Sequence, residues 1–322
     1  MLYLNKQDIS LLVDFNEMIE TVEHAMEIYE KKQFMQPDRI KFNVTNTETY
    51  LYMPCFTDGI KGTKILTLSQ ENSKYNLPTI QGVMLLNNPK TGTIDCILDG
   101  ASITSYRTGA VGAAGIKYTS GESCHNLGIV GTGVQAFYQA QYATAVRDIE
   151  NIYVYNITPW KSESFAERLK EKLPKVNIVP EASSGELVKK SDIIITATTS
   201  STPVLPDDAE LLEGKHFIGI GSYKPNMREY PESIYKLLEK IYIDVDFAKE
   251  ESGDLATPCE KGWFKEENIQ TLYSAVKAKS IDRSRTMFCK SVGMALFDIF
   301  VAGNIYNKAI EQGIGQKLNP QP

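Results

Sequence analysis

Long apolar runs are missing from this chain. No stretch approaches the roughly 18 residues that a membrane-spanning helix needs, so no membrane partner is expected. Histidine is scarce, and the five cysteines (Cys55, Cys96, Cys124, Cys259 and Cys289) form no C-x-x-C pair. That pattern argues for reduced thiols rather than a disulfide framework, and no metal site is expected. The opening residues, Met1-Leu2-Tyr3-Leu4-Asn5-Lys6-Gln7-Asp8, lack the basic stretch and apolar core of a signal peptide, so a cytoplasmic location is expected. A surplus of positive charge is absent too. The 34 Lys and Arg residues stand against 40 Asp and Glu, a net charge of −6, which disfavours nucleic acid and anionic membranes as partners. What is present is an ordinary globular composition, 42% hydrophobic and 23% charged over 322 residues, enough for one large domain or two ordinary ones.

The texture changes along the chain. A short strand leads into a helix whose Met18, Ile19, Val22, Met26 and Tyr29 make one apolar stripe. From Tyr50 to Leu98, short apolar runs alternate with turn signals, and Asn88-Pro89-Lys90-Thr91-Gly92 reads as a hairpin turn. This predicts an antiparallel meander. A closely packed helix rich in Ala and Gly follows over Ser102–Tyr118. From Asn126, strands at 126–130, 151–155, 177–180, 192–196, 216–220 and 240–245 alternate with helices such as Ser162–Leu173. That order predicts an α/β fold with a doubly wound parallel sheet, preceded by an α+β region with a mainly antiparallel sheet. A final helix is predicted over Arg285–Ala302, with Phe288, Val292, Ala295, Leu296 and Ile299 as its stripe and Cys289 packed beside them.

The strongest local signal is the turn Gly131-Thr132-Gly133-Val134-Gln135-Ala136, which follows an apolar strand and opens a helix. In such a G-x-G-x-x-A turn the first glycine permits the sharp bend. The second leaves room for a pyrophosphate, and the alanine lets the helix pack close to the sheet. Free amides at the helix start then face the phosphates. The next strand ends at Asn156, where an acidic residue would bind the ribose 2′-hydroxyl and select NAD. Asn156 does not repel a 2′-phosphate, and NADP(H) is slightly favoured over NAD(H).

Outside this region, Arg39, Lys64 and Arg107 stand in the antiparallel part. Arginine can grip a carboxylate through paired hydrogen bonds, and a lysine in an apolar strand can have a lowered pKa suited to proton transfer. Spacing alone does not separate these cations from others that serve as surface charges or structural ion pairs. His24, His125 and His216 are read as structural, and Asp244 and Asp246 as caps or loop charges.

Arg39, Lys64, Leu77-Pro78-Thr79-Ile80-Gln81-Gly82, Arg107-Thr108-Gly109-Ala110 and Gly131-Thr132-Gly133-Val134-Gln135-Ala136 occur in this order. So do Thr198-Thr199-Ser200 with Pro203-Val204, and Lys290-Ser291-Val292-Gly293-Met294-Ala295. In this the chain resembles the ornithine cyclodeaminase/mu-crystallin family over nearly its whole length. The resemblance implies a Rossmann domain over 114–302 and a substrate-binding and dimerisation domain over 1–113 and 303–322, with the second domains of two subunits pairing in a homodimer. It implies that Arg39 and Arg107 clamp a substrate carboxylate while Lys64 faces the reacting nitrogen or carbonyl, so that Lys64 and Arg107 are the catalytic pair. It places Thr108, Gly131, Thr132, Gly133, Val134, Gln135, Asn156, Thr198, Thr199, Ser200, Gly221, Ser291 and Gly293 about the cofactor, and Met53 and Tyr223 near the substrate side chain.

One departure bears on function. Cyclodeaminases of the family carry an aspartate for the substrate's side-chain amine where this chain has Tyr223, within Gly221-Ser222-Tyr223-Lys224-Pro225-Asn226-Met227-Arg228-Glu229. A phenol titrates near pH 10 and gives an ammonium no anionic partner at neutral pH. The smaller set that remains fits an NAD(P)H-dependent reductase of a small imino acid, such as Δ1-pyrroline-2-carboxylate, or its reverse, an amino-acid dehydrogenase. Ornithine cyclodeaminase and a non-catalytic small-ligand binder are the alternatives.

Overall fold

The computed structural model describes residues 1–278 and 281–318. Its strands, in chain order, are β1 (Leu2–Leu4), β2 (Ile40–Asn43), β3 (Glu48–Phe56), β4 (Lys61–Ser69), β5 (Ile80–Asn87), β6 (Ile94–Asp99), β7 (Asn126–Val130), β8 (Asn151–Tyr155), β9 (Asn177–Pro180), β10 (Ile193–Thr196), β11 (His216–Gly219), β12 (Ile241–Ile243), β13 (Ile269–Thr271), β14 (Met287–Lys290) and β15 (Gln316–Lys317). The longer helices are α1 (Phe15–Glu30), α2 (Gly100–Thr119), α3 (Val134–Val146), α4 (Pro159–Lys172) and α5 (Ala295–Gln312). Among the described residues no helix is long and apolar enough to cross a membrane.

The chain divides into one unit of Met1–Arg107 with Met294–Pro322 and a second of Thr108–Gly293. The divisions fall at 107/108 and 293/294, not at the expected 113/114 and 302/303. The whole of α5 belongs with the first unit, because its inner face packs on β3, β4, β5 and α1. The last four residues of the expected 303–322 segment lie outside the described residues.

The first unit is a seven-stranded sheet in the order β15-β1-β6-β5-β4-β3-β2. Strands β3 to β6 are the expected antiparallel meander, β2 extends it antiparallel to β3, and β1 adds in parallel to β6. Side chains alternate across the sheet. Met53 and Cys55 of β3, Lys64 and Leu66 of β4, Met84 and Leu86 of β5, and Cys96 and Leu98 of β6 are all buried. The opposite face carries half-buried Tyr52, Ile65, Val83 and Leu85 and the exposed Ile40 and Phe42. Helix α1 buries the stripe of Met18, Ile19, Val22, Met26 and Tyr29. Its N-cap, Asp14, accepts from Glu17 N at 3.0 Å, a contact worth about 1 kcal/mol in such positions.

The second unit holds an eight-stranded sheet in the order β13-β12-β14-β11-β10-β7-β8-β9, parallel at every pairing. The winding reverses between β7 and β10, the switch point at which open α/β sheets bind ligands beyond their strand ends.

The helix expected over Arg285–Ala302 is two elements. Met287–Lys290 is a central parallel strand with all four residues buried, and α5 begins only at Ala295. A fully buried apolar run has no period to distinguish strand from helix. Gly293, at φ +76°, takes a left-handed conformation that ends one element before the next starts. Cys289 and Phe288 therefore lie on a strand, away from the stripe of Ala295, Leu296 and Ile299.

Candidate active site

In the first unit, Lys64 projects from the covered face of β4. Its cross-strand neighbours are Met53 on β3 and Met84 on β5. The lysine is 1% exposed, so its ammonium has lost most of its water and needs charged or polar partners. It finds two. Its Nζ lies 2.5 Å from Asp298 Oδ2 and donates to Thr104 Oγ1 at 3.2 Å. Asp298, in the first turn of α5, is fully buried, and its other oxygen accepts from Arg107 Nε at 3.0 Å. Burial lowers the Lys64 pKa to about 8, with the charges of Arg107 and Arg39 acting in the same direction and Asp298 opposing them. The structure thus brings Lys64, Arg107 and Met53 together, with the charge of Arg39 felt at Lys64.

Asp298 was not anticipated. A signal existed, since it is the sole charged residue in Ala295-Leu296-Phe297-Asp298-Ile299-Phe300-Val301-Ala302. An aspartate inside so apolar a helical run needs a buried partner.

In the second unit, the expected cofactor residues gather beyond the C-terminal ends of the parallel strands. After β7, Gly131 has φ +106°, and a Cβ there would stand 2.5 Å from the Ala197 carbonyl. Gly133 caps α3, and a Cβ there would meet nothing within 4 Å. Packing explains Gly131, whereas the bare backbone at Gly133 faces open space, as a dinucleotide phosphate requires. Val134 is 64% exposed, Gln135 is half-buried beside it, and Ala136 is buried against the sheet. Asn156, after β8, donates from Nδ2 to Thr132 Oγ1 at 2.9 Å and accepts from Thr158 N at 2.9 Å. Thr108 joins the group from the start of the unit, its carbonyl accepting from Gln139 Nε2 of α3 at 2.7 Å. These features fit a bound dinucleotide: a glycine cradle, free helix-start amides and a neutral residue at the ribose position.

Two buried carboxylates organise the remaining loops. Glu229 accepts from Thr196 Oγ1, Thr198 N and Oγ1, Gly221 N and Ser222 N. It thereby ties the ends of β10 and β11 together. Thr199 is exposed and Ser200 half-buried in the same loop. Asp244, following β12, accepts from Ser291 Oγ at 2.7 Å and Gly293 N at 2.7 Å. The carboxylate therefore fixes the Ser291–Gly293 turn, a more specific task than the cap or loop charge read from the sequence. Tyr223 lies just past Gly221, 37% exposed, and partial burial raises its pKa. His24 packs edge-on against Phe300, and burial lowers the pKa of His216 to about 4.

A profile described as the ornithine cyclodeaminase/mu-crystallin family matches residues 2–313. The chain is 35% identical to a Δ1-pyrroline-2-carboxylate reductase of Bacillus cereus, covering 99% of each. It superposes on the Thermococcus litoralis Δ1-pyrroline-2-carboxylate reductase, solved with NADH and L-proline, with a TM-score of 0.91 and 33% identity over 99% of this chain and 100% of that one. An archaeal alanine dehydrogenase dimer with bound NAD gives a TM-score of 0.88 at 26% identity, covering 99% of both chains.

Proposed function

Because the chain belongs to the ornithine cyclodeaminase/mu-crystallin family, we propose that it is an NAD(P)H-dependent reductase of a small imino acid, Δ1-pyrroline-2-carboxylate or a close relative. The observation that carries the reading is the buried Lys64, held between Asp298 and Thr104 with a pKa near 8. An amine with that affinity for its proton can give it up and recover it at working pH. In this reading Arg39 and Arg107 attract and orient the substrate carboxylate. Lys64 points an N–H at the imine nitrogen, on which the C=N electron pair collects as the carbon is reduced. The low-dielectric pocket strengthens this donation because water does not compete. In the second unit, the Gly131–Gln135 turn and the α3 N-terminus hold the dinucleotide phosphates, and the Thr198, Gly221 and Ser291–Gly293 loops shape the nicotinamide end. When bound, the reduced nicotinamide supplies the hydride. Asn156 brings no negative charge to the ribose position, so the reading admits NADPH and keeps it slightly ahead of NADH.

Tyr223 gives no anionic partner for a side-chain ammonium, so ornithine is a poor fit. The face of the first sheet that carries Ile40, Phe42, Tyr52 and Ile65 fits pairing with a second copy in a homodimer, which light scattering in solution tests through the particle mass. The function is tested by following NADPH and NADH oxidation with Δ1-pyrroline-2-carboxylate. Turnover is expected, and its absence with every small cyclic or open-chain imino acid would refute the proposal. Conversion of ornithine to proline with ammonia release would establish the cyclodeaminase instead.

A further inference from the structure

We propose that Asp298 is a positioning residue that holds Lys64 and Arg107 in their working orientations and keeps the lysine charged as a proton donor; this rests on the imine-reductase reading above.

Three observations carry it. First, both carboxylate oxygens are committed, one to each cation. Oδ2 meets Lys64 Nζ at 2.5 Å and Oδ1 accepts from Arg107 Nε at 3.0 Å. A single side chain from α5 thus fixes groups from β4 and α2. Second, the arrangement counts out the lysine's hydrogens. An ammonium has three N–H groups. One is donated to Thr104 Oγ1 at 3.2 Å, while Asp298 Oδ2 pairs with the charge at 2.5 Å. The Thr104 hydroxyl spends its own hydrogen on the Gly100 carbonyl at 2.8 Å, so its oxygen is fixed as an acceptor. The hydrogen bond to Thr104 and the ion pair to Asp298 together fix the orientation of the Lys64 ammonium. Third, stability does not account for the cluster. Apolar replacement of a buried ion pair is often neutral or stabilising, and the positions around Lys64 are already Met53 and Met84.

The charged groups facing Lys64 are Asp298 from α5, Arg107 from α2 and Arg39 from the segment before β2. Cys55 of β3 faces Asp298, and burial pushes its thiol up to about 12. The Asp298 carboxylate favours the charged lysine against Arg107 and Arg39, and its removal lowers the lysine's hold on its proton.

The test compares Asp298→Asn and Asp298→Glu with wild type. Imino-acid turnover is followed from about pH 6 to 10, and Lys64 is titrated directly by NMR of lysine-labelled protein, assigned with Lys64→Met. For Asp298→Asn, the alkaline fall of kcat/KM and the Lys64 titration should both move down by about one pH unit or more, with kcat lower by about 10- to 100-fold. Asp298→Glu keeps the charge but displaces it, so the titration should stay near wild type while kcat falls. A merely structural aspartate would lower Tm without moving either titration. A wild-type titration in Asp298→Asn overturns the proposal. Should that variant fail to fold, unchanged kcat and KM in Asp298→Glu overturn it equally. Absence of wild-type turnover refutes the reductase reading alone, since the NMR titration needs no substrate.

Discussion

Met53 and Lys64 stand directly opposite one another on β3 and β4. The amine of the candidate site is thus flanked across the strands by a thioether rather than by a carboxylate. Among the described residues, its negative neighbour comes from α5 instead.

Lys64 should control the alkaline limb of activity. With its pKa near 8, the protonated donor is present below that pH and lost above it, so kcat/KM should fall as pH rises through about 8. Lys64→Met should lose at least about 100-fold in kcat while binding dinucleotide as wild type does. Stability has its own signature. Folded Lys64 binds its proton less tightly than an unfolded lysine near 10.5, so the unfolded chain holds more protons between pH 8 and 10.5. Over that window wild type should gain up to about 3 kcal/mol relative to Lys64→Met, as denaturant titrations at both ends would reveal.

The two glycines of the phosphate turn should fail in different ways. Gly131→Ala places a Cβ 2.5 Å from the Ala197 carbonyl at φ +106°. It should cost about 1–3 kcal/mol of stability, read as a lower Tm. Gly133→Ala meets nothing within 4 Å and should melt like wild type, yet bind NADH or NADPH at least about tenfold more weakly. Equal loss of stability in both would refute the distinction.

Asn156→Asp should shift preference towards NADH. The new carboxylate can still accept from the Thr132 hydroxyl and from Thr158 N, so the turn survives. Its charge opposes a 2′-phosphate and suits a free 2′-hydroxyl. Fluorescence titration should show the NADPH Kd rising about tenfold or more, with the NADH Kd unchanged or lower.

Local features were legible in the sequence and tertiary ones were not. The phosphate turn, the meander and the parallel strands announce themselves through glycine spacing, alternation and turn residues, all short-range. The Met287–Lys290 strand escaped because four consecutive buried residues have no periodicity. Asp298, Glu229 and Asp244 escaped for a different reason. Each carboxylate matters through residues far away in sequence: Lys64 and Arg107 for the first, Thr196 and Thr198 for the second, Ser291 and Gly293 for the third. Family resemblance singled out the cations of the first unit without indicating the anion that holds them.

The first unit is assembled from both ends of the chain, and this sets an order on its birth. Lys64 is polymerised 234 residues before Asp298, by subtraction of their positions. At about 5–20 residues per second, the ribosome makes the cation wait roughly 10–50 s for its counter-charge. By the end of that interval the second unit, Thr108–Gly293, has been polymerised while β4 still lacks the helix that covers it. A nascent chain halted before α5 should therefore carry the whole sequence of the second unit while the face of β3, β4 and β5 that α5 covers stays unsealed.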